Sequence, residues 1–341
     1  MEQQSGQKKG KWRRRFWGLA KALVALVIFA TIFGIAWQKF MTMKGERKYP
    51  PPGQMVDIGR HRLHAQITGE SGPVIVLEAG MGDYSSVWCD VVDDLSKFAR
   101  VVAYDRAGNG WSDPGTGDAD SMQVARDLKT LLQKTEMEGP YILVGHSIGG
   151  FHVRAFAQQF PDEVGGMVLV DASHEDQWNR IPESIGGTAQ GMLRMVKIFR
   201  ALSIFGIPRA MGMSQGSLLP EELRGAWVSN CNKTSFFSAM VKEVEGMIAS
   251  EGQLRQSPDL GDIPLAVLTA DVEDDPMLSA KDNQNMRQIW MELQSELAAL
   301  STASTHEVIK NTTHHIHLKQ PKAVIEAIRQ IVLQEKSGQS L

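Results

Sequence analysis

The chain has 341 residues, an ordinary apolar share of 43% and a formal net charge of −3, which suits one sizeable globular domain carrying an insertion, or two small domains. With no excess of basic residues and a pI near 6.3, the bulk composition gives no reason to expect nucleic acid as a partner. The one basic cluster, Lys8, Lys9, Lys11, Arg13, Arg14 and Arg15, lies at the N-terminus.

That cluster precedes Ala22 to Trp37, which carries no charge, and extending back to Phe16 takes in only Lys21. Roughly twenty helical residues span the hydrocarbon of a bilayer, and a lysine near one end reaches the interface on its own stem. The pattern predicts a basic cytoplasmic tail over 1–15, a transmembrane signal anchor over 16–38 and a linker over 39–53. The basic flank sets the N-terminus in the cytoplasm and the rest of the chain on the non-cytoplasmic side, although Lys39, Lys44, Arg47 and Lys48 reduce the asymmetry. Two alternatives stay open: a cleaved signal peptide, through the small-x-small match Gly34-Ile35-Ala36, and a twin-arginine export signal at Arg13-Arg14-Arg15-Phe16.

Tyr49-Pro50-Pro51-Pro52-Gly53 breaks the helical pattern as a short stiff spacer. An antiparallel hairpin is expected over 55–58 and 62–68, followed by strand 73–77, helix 87–98, strand 100–104, helix 121–135, strand 141–144, helix 150–160 and strand 166–170. The strands are nearly continuous runs of Val, Ile and Leu. Runs of that kind, alternating with helices, imply a mostly parallel sheet covered on both faces. The alternation lapses over 173–262 and resumes with strand 264–269, helix 280–300, strand 306–310 and helix 321–335. The core is therefore expected over 54–172 and 263–341, and a cap rich in Gly and Met over 173–262. The two cysteines, Cys89 and Cys231, are expected as separate packed thiols rather than as a bridge.

In Gly145-His146-Ser147-Ile148-Gly149 the pattern GxSxG falls directly after a buried strand and directly before a helix. A nucleophilic serine needs that context, because it must occupy a strained turn that only small flanking residues permit. Its hydroxyl also needs a base. Thr313-His314-His315-Ile316-His317-Leu318-Lys319-Gln320-Pro321, between the last strand and the last helix, supplies candidates at the carboxyl edge of the sheet. Three histidines also raise a metal site, but Cys, Asp and Glu companions are missing nearby, so no metal is expected.

On these features the chain resembles an α/β-hydrolase of the lipase and esterase type from Gln54 to the last helix. The resemblance implies the α/β-hydrolase fold: a mostly parallel central sheet, helices on both faces and a helical cap inserted after the sixth strand. The family's H-x-x-H-L-x-x-P loop makes His314 the base, with His317 structural and His315 facing solvent or lining the site. A second likeness, Tyr104-Asp105-Arg106-Ala107-Gly108-Asn109-Gly110-Trp111-Ser112-Asp113, matches the D-R-x-G-x-G-x-S-D segment after the fourth strand. Its charges are expected to pair with one another. The family's oxyanion donors map to the backbone N–H of Ile148 and of Met81, the latter in Glu78-Ala79-Gly80-Met81-Gly82, where Ala79 departs from the usual His-Gly start.

The acid that orients His314 has several candidates. The turn Ala270-Asp271-Val272-Glu273-Asp274-Asp275-Pro276 offers Asp275 by its Asp-Pro end and Glu273, or Asp271, by its distance from the strand end. Some relatives take the acid after the preceding strand, here Asp171. Asp275 is preferred, with Asp171 next. A serine at the elbow disfavours dehalogenase and epoxide-hydrolase chemistry, which use a carboxylate there. The expected function is cleavage of a small or medium apolar carboxylic ester through an acyl-enzyme, with no cofactor. A thioester, lactone, amide or carbon–carbon bond, perhydrolase (haloperoxidase) chemistry on the same triad, and a non-catalytic ligand-binding module on the same scaffold are the alternatives.

Overall fold

A computed structural model describes residues 2–337 apart from 215, 217, 258, 272 and 273. It opens with one long helix, α1 (Glu2–Lys48). The stretch expected as a linker is thus helical to residue 48, and only 49–53 are irregular. The physical reason is packing. Gly45 lies against Ser229, and Tyr49 against Gly225, so close that a Cβ at either glycine would overlap its neighbour, and this contact holds the last turns of α1 in helical form ahead of the three prolines.

The eight strands are β1 (Gln54–Asp57), β2 (Arg62–Thr68), β3 (Val74–Glu78), β4 (Arg100–Tyr104), β5 (Tyr141–His146), β6 (Val164–Val170), β7 (Leu265–Ala270) and β8 (Ser304–Ile309). They form a single sheet in the order β1-β2-β4-β3-β5-β6-β7-β8. β1 and β2 pair antiparallel, β2 pairs antiparallel with β4, and β4 through β8 are parallel. Between the strands run α2 (Cys89–Leu95), α3 (Ser121–Lys134) and α4 (Gly149–Gln159). β6 and β7 are separated by α5 (Gln177–Arg180), α6 (Glu183–Gly186), α7 (Ala189–Ser203), α8 (Ile207–Ala210), α9 (Glu221–Asn230) and α10 (Thr234–Leu254). The chain closes with α11 (Ala280–Ala298), α12 (Ile316–Lys319) and α13 (Pro321–Ser337).

The pleat divides the strands' apolar residues between two cores, because successive side chains point to opposite faces. Val74, Val76, Leu143 and Leu169 pack with Leu128 and Leu131 of α3 and Phe151 and Phe156 of α4. Ile75, Leu77, Val144 and Val170 pack with Leu95 of α2 and Ile328 and Ile331 of α13. This is why β3, β5 and β7 are buried along their whole lengths and read as unbroken apolar runs. Asp120 caps α3 through the N–H groups of Met122 and Gln123, and Ser279 caps α11 through that of Asp282.

The helical insert after β6 is tied to the core through α10. Val241, Val244 and Met247 join the first core, Ser250 Oγ accepts from Ser121 N at 2.8 Å, and a Cβ on Gly246 would lie 2.1 Å from the carbonyl oxygen of Ala119. Backbone cannot give way there as a flexible side chain would. Gly246→Val is expected to lower the stability of the full chain by about 1–3 kcal/mol, read as a lower urea midpoint with an unchanged slope.

Candidate active site

β5 ends at His146, and α4 begins at Gly149. Ser147 between them has φ +54°, the left-handed region that costs a residue with a Cβ on the order of 1–3 kcal/mol. The neighbours hold it there. Its N–H donates to Val170 O at 3.2 Å, and its carbonyl accepts from Gly150 N at 3.0 Å and from Ser173 N at 2.9 Å. The glycines of the motif are required by space: a Cβ on Gly145 would meet the Gly149 backbone at 2.7 Å, and one on Gly149 would meet Glu78 O at 2.6 Å. The serine is left partly exposed at the carboxyl edge of the sheet.

His314 lies on the same edge. His146 Nε2 is 3.0 Å from His314 O, and the two rings are 4.6 Å apart, so the residue before Ser147 packs directly on His314. His314 Nδ1 is 2.7 Å from Asp171 Oδ2. Asp171 follows β6 with φ +43° and is buried. Its other oxygen, Oδ1, accepts from Ala270 N at 2.9 Å and from Trp290 Nε1 at 2.9 Å. Burial opposes the charged form of His314, but the hydrogen bond and charge of Asp171, with Asp83 beyond, outweigh it and raise the pKa above its ordinary 6.5. The imidazole is deep among neighbouring atoms yet keeps 42% of its side-chain surface open, as a group facing a cavity does.

Asp271 and Asp275 line the same cavity as His314 but make other hydrogen bonds. Asp275 accepts from Met277 N at 2.8 Å and donates its own N–H to Asn283 Oδ1 at 2.8 Å, so it shapes an exposed turn rather than the histidine. Asp271 donates its N–H to Ile309 O, and Glu273 lies outside the described residues. Of the two preferred candidates, Asp171 and not Asp275 is hydrogen-bonded to His314. β6 runs between β5 and β7, and its last residue, Val170, accepts from Ser147 N, so its end adjoins the elbow.

The remaining histidines of the late loop, His315 and His317, both pack against His146, with ring centroids 5.2 and 4.5 Å from its own. His317 is fully buried with its ring 4.4 Å from that of Trp88, and burial followed by the neighbouring histidines pushes its pKa well down. His315 is partly exposed and sits 3.5 Å from Asp83 Oδ2. His146 is buried and held neutral chiefly by that burial.

The loop after β3 is gripped by a network that sequence reading did not foresee. Arg106 donates to Glu78 Oε1, Ala79 O and Gly80 O, each at 2.6 Å, and to Glu243 Oε1 at 2.8 Å. Tyr104 Oη donates to the other oxygen of Glu78, Asn109 Nδ2 to Glu243 Oε1 at 2.6 Å, and Gly82 N to Glu243 Oε2 at 3.0 Å. Burial opposes charge on Arg106, but Glu243 and Glu78 more than offset it, so the guanidinium stays protonated. The charges of the 104–113 segment thus do not pair internally as expected: Asp105 is on His64 at 2.9 Å and Asp113 on Arg62 at 2.8 Å. A short turn leaves its side chains facing outward to the strands around it. Among the described residues, the N–H groups of Met81 and Ile148 have no protein acceptor.

Two cavities adjoin the site. One, of about 320 Å³, runs from His314 and Asp171 along Leu278, Met286, Trp290 and Met291. The other, of about 560 Å³, lies between core and insert, with His315 and Asp83 on one side and Met213, Trp227 and Phe236 on the other. Cys89 and Cys231 are free thiols. Burial, with Asp90, pushes Cys89 up to about 12, so neither is a nucleophile near neutrality.

Of the residues that sequence reading missed, Glu78 carried a signal, an ionisable group closing an apolar strand. Trp290 and Glu243 sit in ordinary helical patterns and carried none. Removing one partner of a buried ion pair leaves its mate uncompensated, so Glu243→Ala is expected to cost about 3–5 kcal/mol of stability, and Glu243→Gln less, as measured by urea unfolding.

Residues 73–321 match the model of the α/β hydrolase fold family. Among curated proteins, the uncharacterised YqjL of Bacillus subtilis is 26% identical over 268 residues, which is 79% of this chain and 86% of that protein. An uncharacterised protein of Mycobacterium tuberculosis is 33% identical over 183 residues, 51% of this chain and 53% of its own. The matches span only 20% of a relative from Hormonema carpetanum, 35% identical over 136 residues, and 42% of one from Schizosaccharomyces pombe, 28% identical over 244. Among solved structures, an esterase from Thermogutta terrifontis superposes with a TM-score of 0.57 at 22% identity, covering 81% of this chain and 94% of that one. Cfl2 from Burkholderia cenocepacia gives 0.62 at 21% identity, covering 82% and 95%. At such identities the likeness is one of fold. The sheet order, the strained serine after β5 and the family match lead to one conclusion: the chain belongs to the α/β hydrolase fold family.

Proposed function

We propose that this protein is a membrane-anchored serine hydrolase that cleaves small or medium apolar carboxylic esters through an acyl-enzyme. The observation that carries the reading is the Asp171–His314 hydrogen bond on the edge where Ser147 stands in a left-handed turn. In this reading Ser147 Oγ attacks the ester carbonyl while His314 Nε2 takes its proton. Asp171 holds the Nδ1 proton and stabilises the imidazolium. The N–H groups of Met81 and Ile148 receive the oxyanion. His314 returns the proton to the leaving alkoxide, and water, activated by the same imidazole, releases the acid. The cavity walled by Leu278, Met286, Trp290 and Met291 supports an apolar acyl or alcohol group.

The anchor is α1, whose segment Arg14–Lys48 contains a window of mean hydropathy 2.4 with none of it buried. Length and composition suffice to cross a bilayer. The basic flank before it supports a cytoplasmic N-terminus with the hydrolase on the other side.

Turnover of p-nitrophenyl esters of graded chain length, together with fluorophosphonate labelling at Ser147, tests the reading; an unlabelled, inactive wild type overturns it. Ser147→Ala is expected to lower kcat by about 10⁶-fold. Asp171→Asn is expected to lower kcat by about 10⁴-fold and Asp275→Asn to leave it unchanged; the reverse order would reassign the acid. The base works only when neutral, so kcat/KM is expected to fall as pH drops through a His314 pKa above 6.5. In Asp171→Asn the residual activity's acid limb is expected to move to lower pH.

A further inference from the structure

The insert meets α1 at a definite height. Gly34 is in contact with Phe205, where a Cβ would lie 2.8 Å from the Phe205 carbonyl oxygen, and Trp37 packs on Gly206. Gln38 is 3% exposed, donates to Asn232 O at 2.7 Å and accepts from Arg209 Nε at 3.0 Å. N-terminal to this contact α1 is bare: Leu23, Leu26, Phe29 and Phe33 are between 61% and 66% exposed. At about 1.5 Å per residue, the segment from Phe16 to Ile35 measures about 30 Å, the thickness of the hydrocarbon. The Phe205–Gly206 turn is therefore held at the edge of the apolar layer, and Lys39, Lys44 and Arg47, all exposed, fall at headgroup level.

Around that turn the insert exposes large apolar side chains that nothing among the described residues covers. Met195 and Ile198 project from α7 at 52% and 53% exposure, Ile204 and Ile207 flank the turn at 43% and 37%, and Met211 follows at 64%. Arg194 is exposed beside them and has no ion-pair partner among the described residues. Met213 and Leu218, also exposed at 45% and 40%, form the outer wall of the 560 Å³ cavity that reaches His315 and Asp83.

We propose that the partner of this face is the lipid bilayer crossed by α1: α7 and α8 rest in its interface, and the cavity between insert and core opens to it, so that apolar substrate passes from the lipid toward His314. The placement follows from continuity. A face of Met and Ile with a basic residue at its rim is suited to the headgroup–acyl boundary, and α1 delivers it to that depth without further energy for approach. The proposal rests on α1 spanning a membrane and names the source of substrate for the hydrolase reading above.

Reconstitution of the full chain into phosphatidylethanolamine–phosphatidylglycerol vesicles, doped with a phospholipid carrying a diazirine in its acyl chain, tests the docking directly. After irradiation, lipid adducts are expected on peptides holding Met195–Ile198 and Ile204–Met211 as well as on α1. None are expected at Leu333, which is 67% exposed on α13 of the core. Adducts confined to α1 would overturn the proposal. A variant carrying Ile198→Glu, Ile204→Glu and Met211→Glu is expected to hydrolyse a long-chain ester dissolved in the vesicles about tenfold more slowly and a water-soluble short-chain ester at the wild-type rate. An equal change in both rates, or in neither, would count against lipid entry. If the wild type hydrolysed no ester at all, the catalytic reading would fail while the adduct map still decided the docking.

Discussion

A single buried guanidinium organises the region where the chemistry is placed. Arg106 stands between Glu78 at the end of β3 and Glu243 on α10 and also binds the carbonyl groups of Ala79 and Gly80. A desolvated charge tolerates few arrangements, because every donor left empty costs the full desolvation penalty. The loop 79–82 therefore has little freedom, and its N–H groups are fixed relative to Ser147. Catalysis by backbone dipoles depends on such pre-organisation, since donors that had to reorient would return part of the stabilisation they provide. The same ion pair makes the insert part of the site: Glu243 belongs to the insert, while Glu78 and Arg106 belong to the core.

The acid–base side of the site is built on different physics. Asp171 has its Oδ1 filled by Ala270 N and Trp290 Nε1, which leaves Oδ2 for His314. A carboxylate held at both oxygens by three donors resists rotation to another partner, so the imidazole is held in one tautomer with its second nitrogen free. Beneath it, burial pushes the pKa values of His146 and His317 well down, so neither adds a positive charge beside His314. Trp290 comes from α11, whose Leu297 and Ala298 join the same core as Val241 and Val244 of α10, so two helices of one sheet face support the serine edge.

α1 ties the candidate membrane span rigidly to the hydrolase domain. Its C-terminal part packs on the insert through Gly34, Gln38 and Gly45 rather than leading into a loose tether. A stiff helix joined to a packed insert fixes orientation as well as distance, whereas a flexible linker of the same length would fix only reach.

How far the amino-acid sequence alone reached can be read residue by residue. The two-faced strands, their order of appearance and the lapse between β6 and β7 were legible, because burial on both faces leaves unbroken apolar runs and local spacing is enough to recognise them. Ser147 was legible for a similar reason, since a strained turn needs small neighbours that are adjacent in the chain. The partner of His314 was not. Asp171 and Asp275 both follow strands, and which of them meets the imidazole of His314 depends on the lateral order of β6 and β7, which no local pattern records. Glu243 and Trp290 lie further still from any signal, being single polar groups in amphipathic helices whose meaning arises only when α10 and α11 close over the sheet edge. The sequence by itself determined the elements and the strained turn at Ser147, through short-range sterics and the period of apolar residues. Tertiary structure decided which charges meet, because electrostatic pairing in a desolvated interior depends on distance in space and is indifferent to distance along the chain.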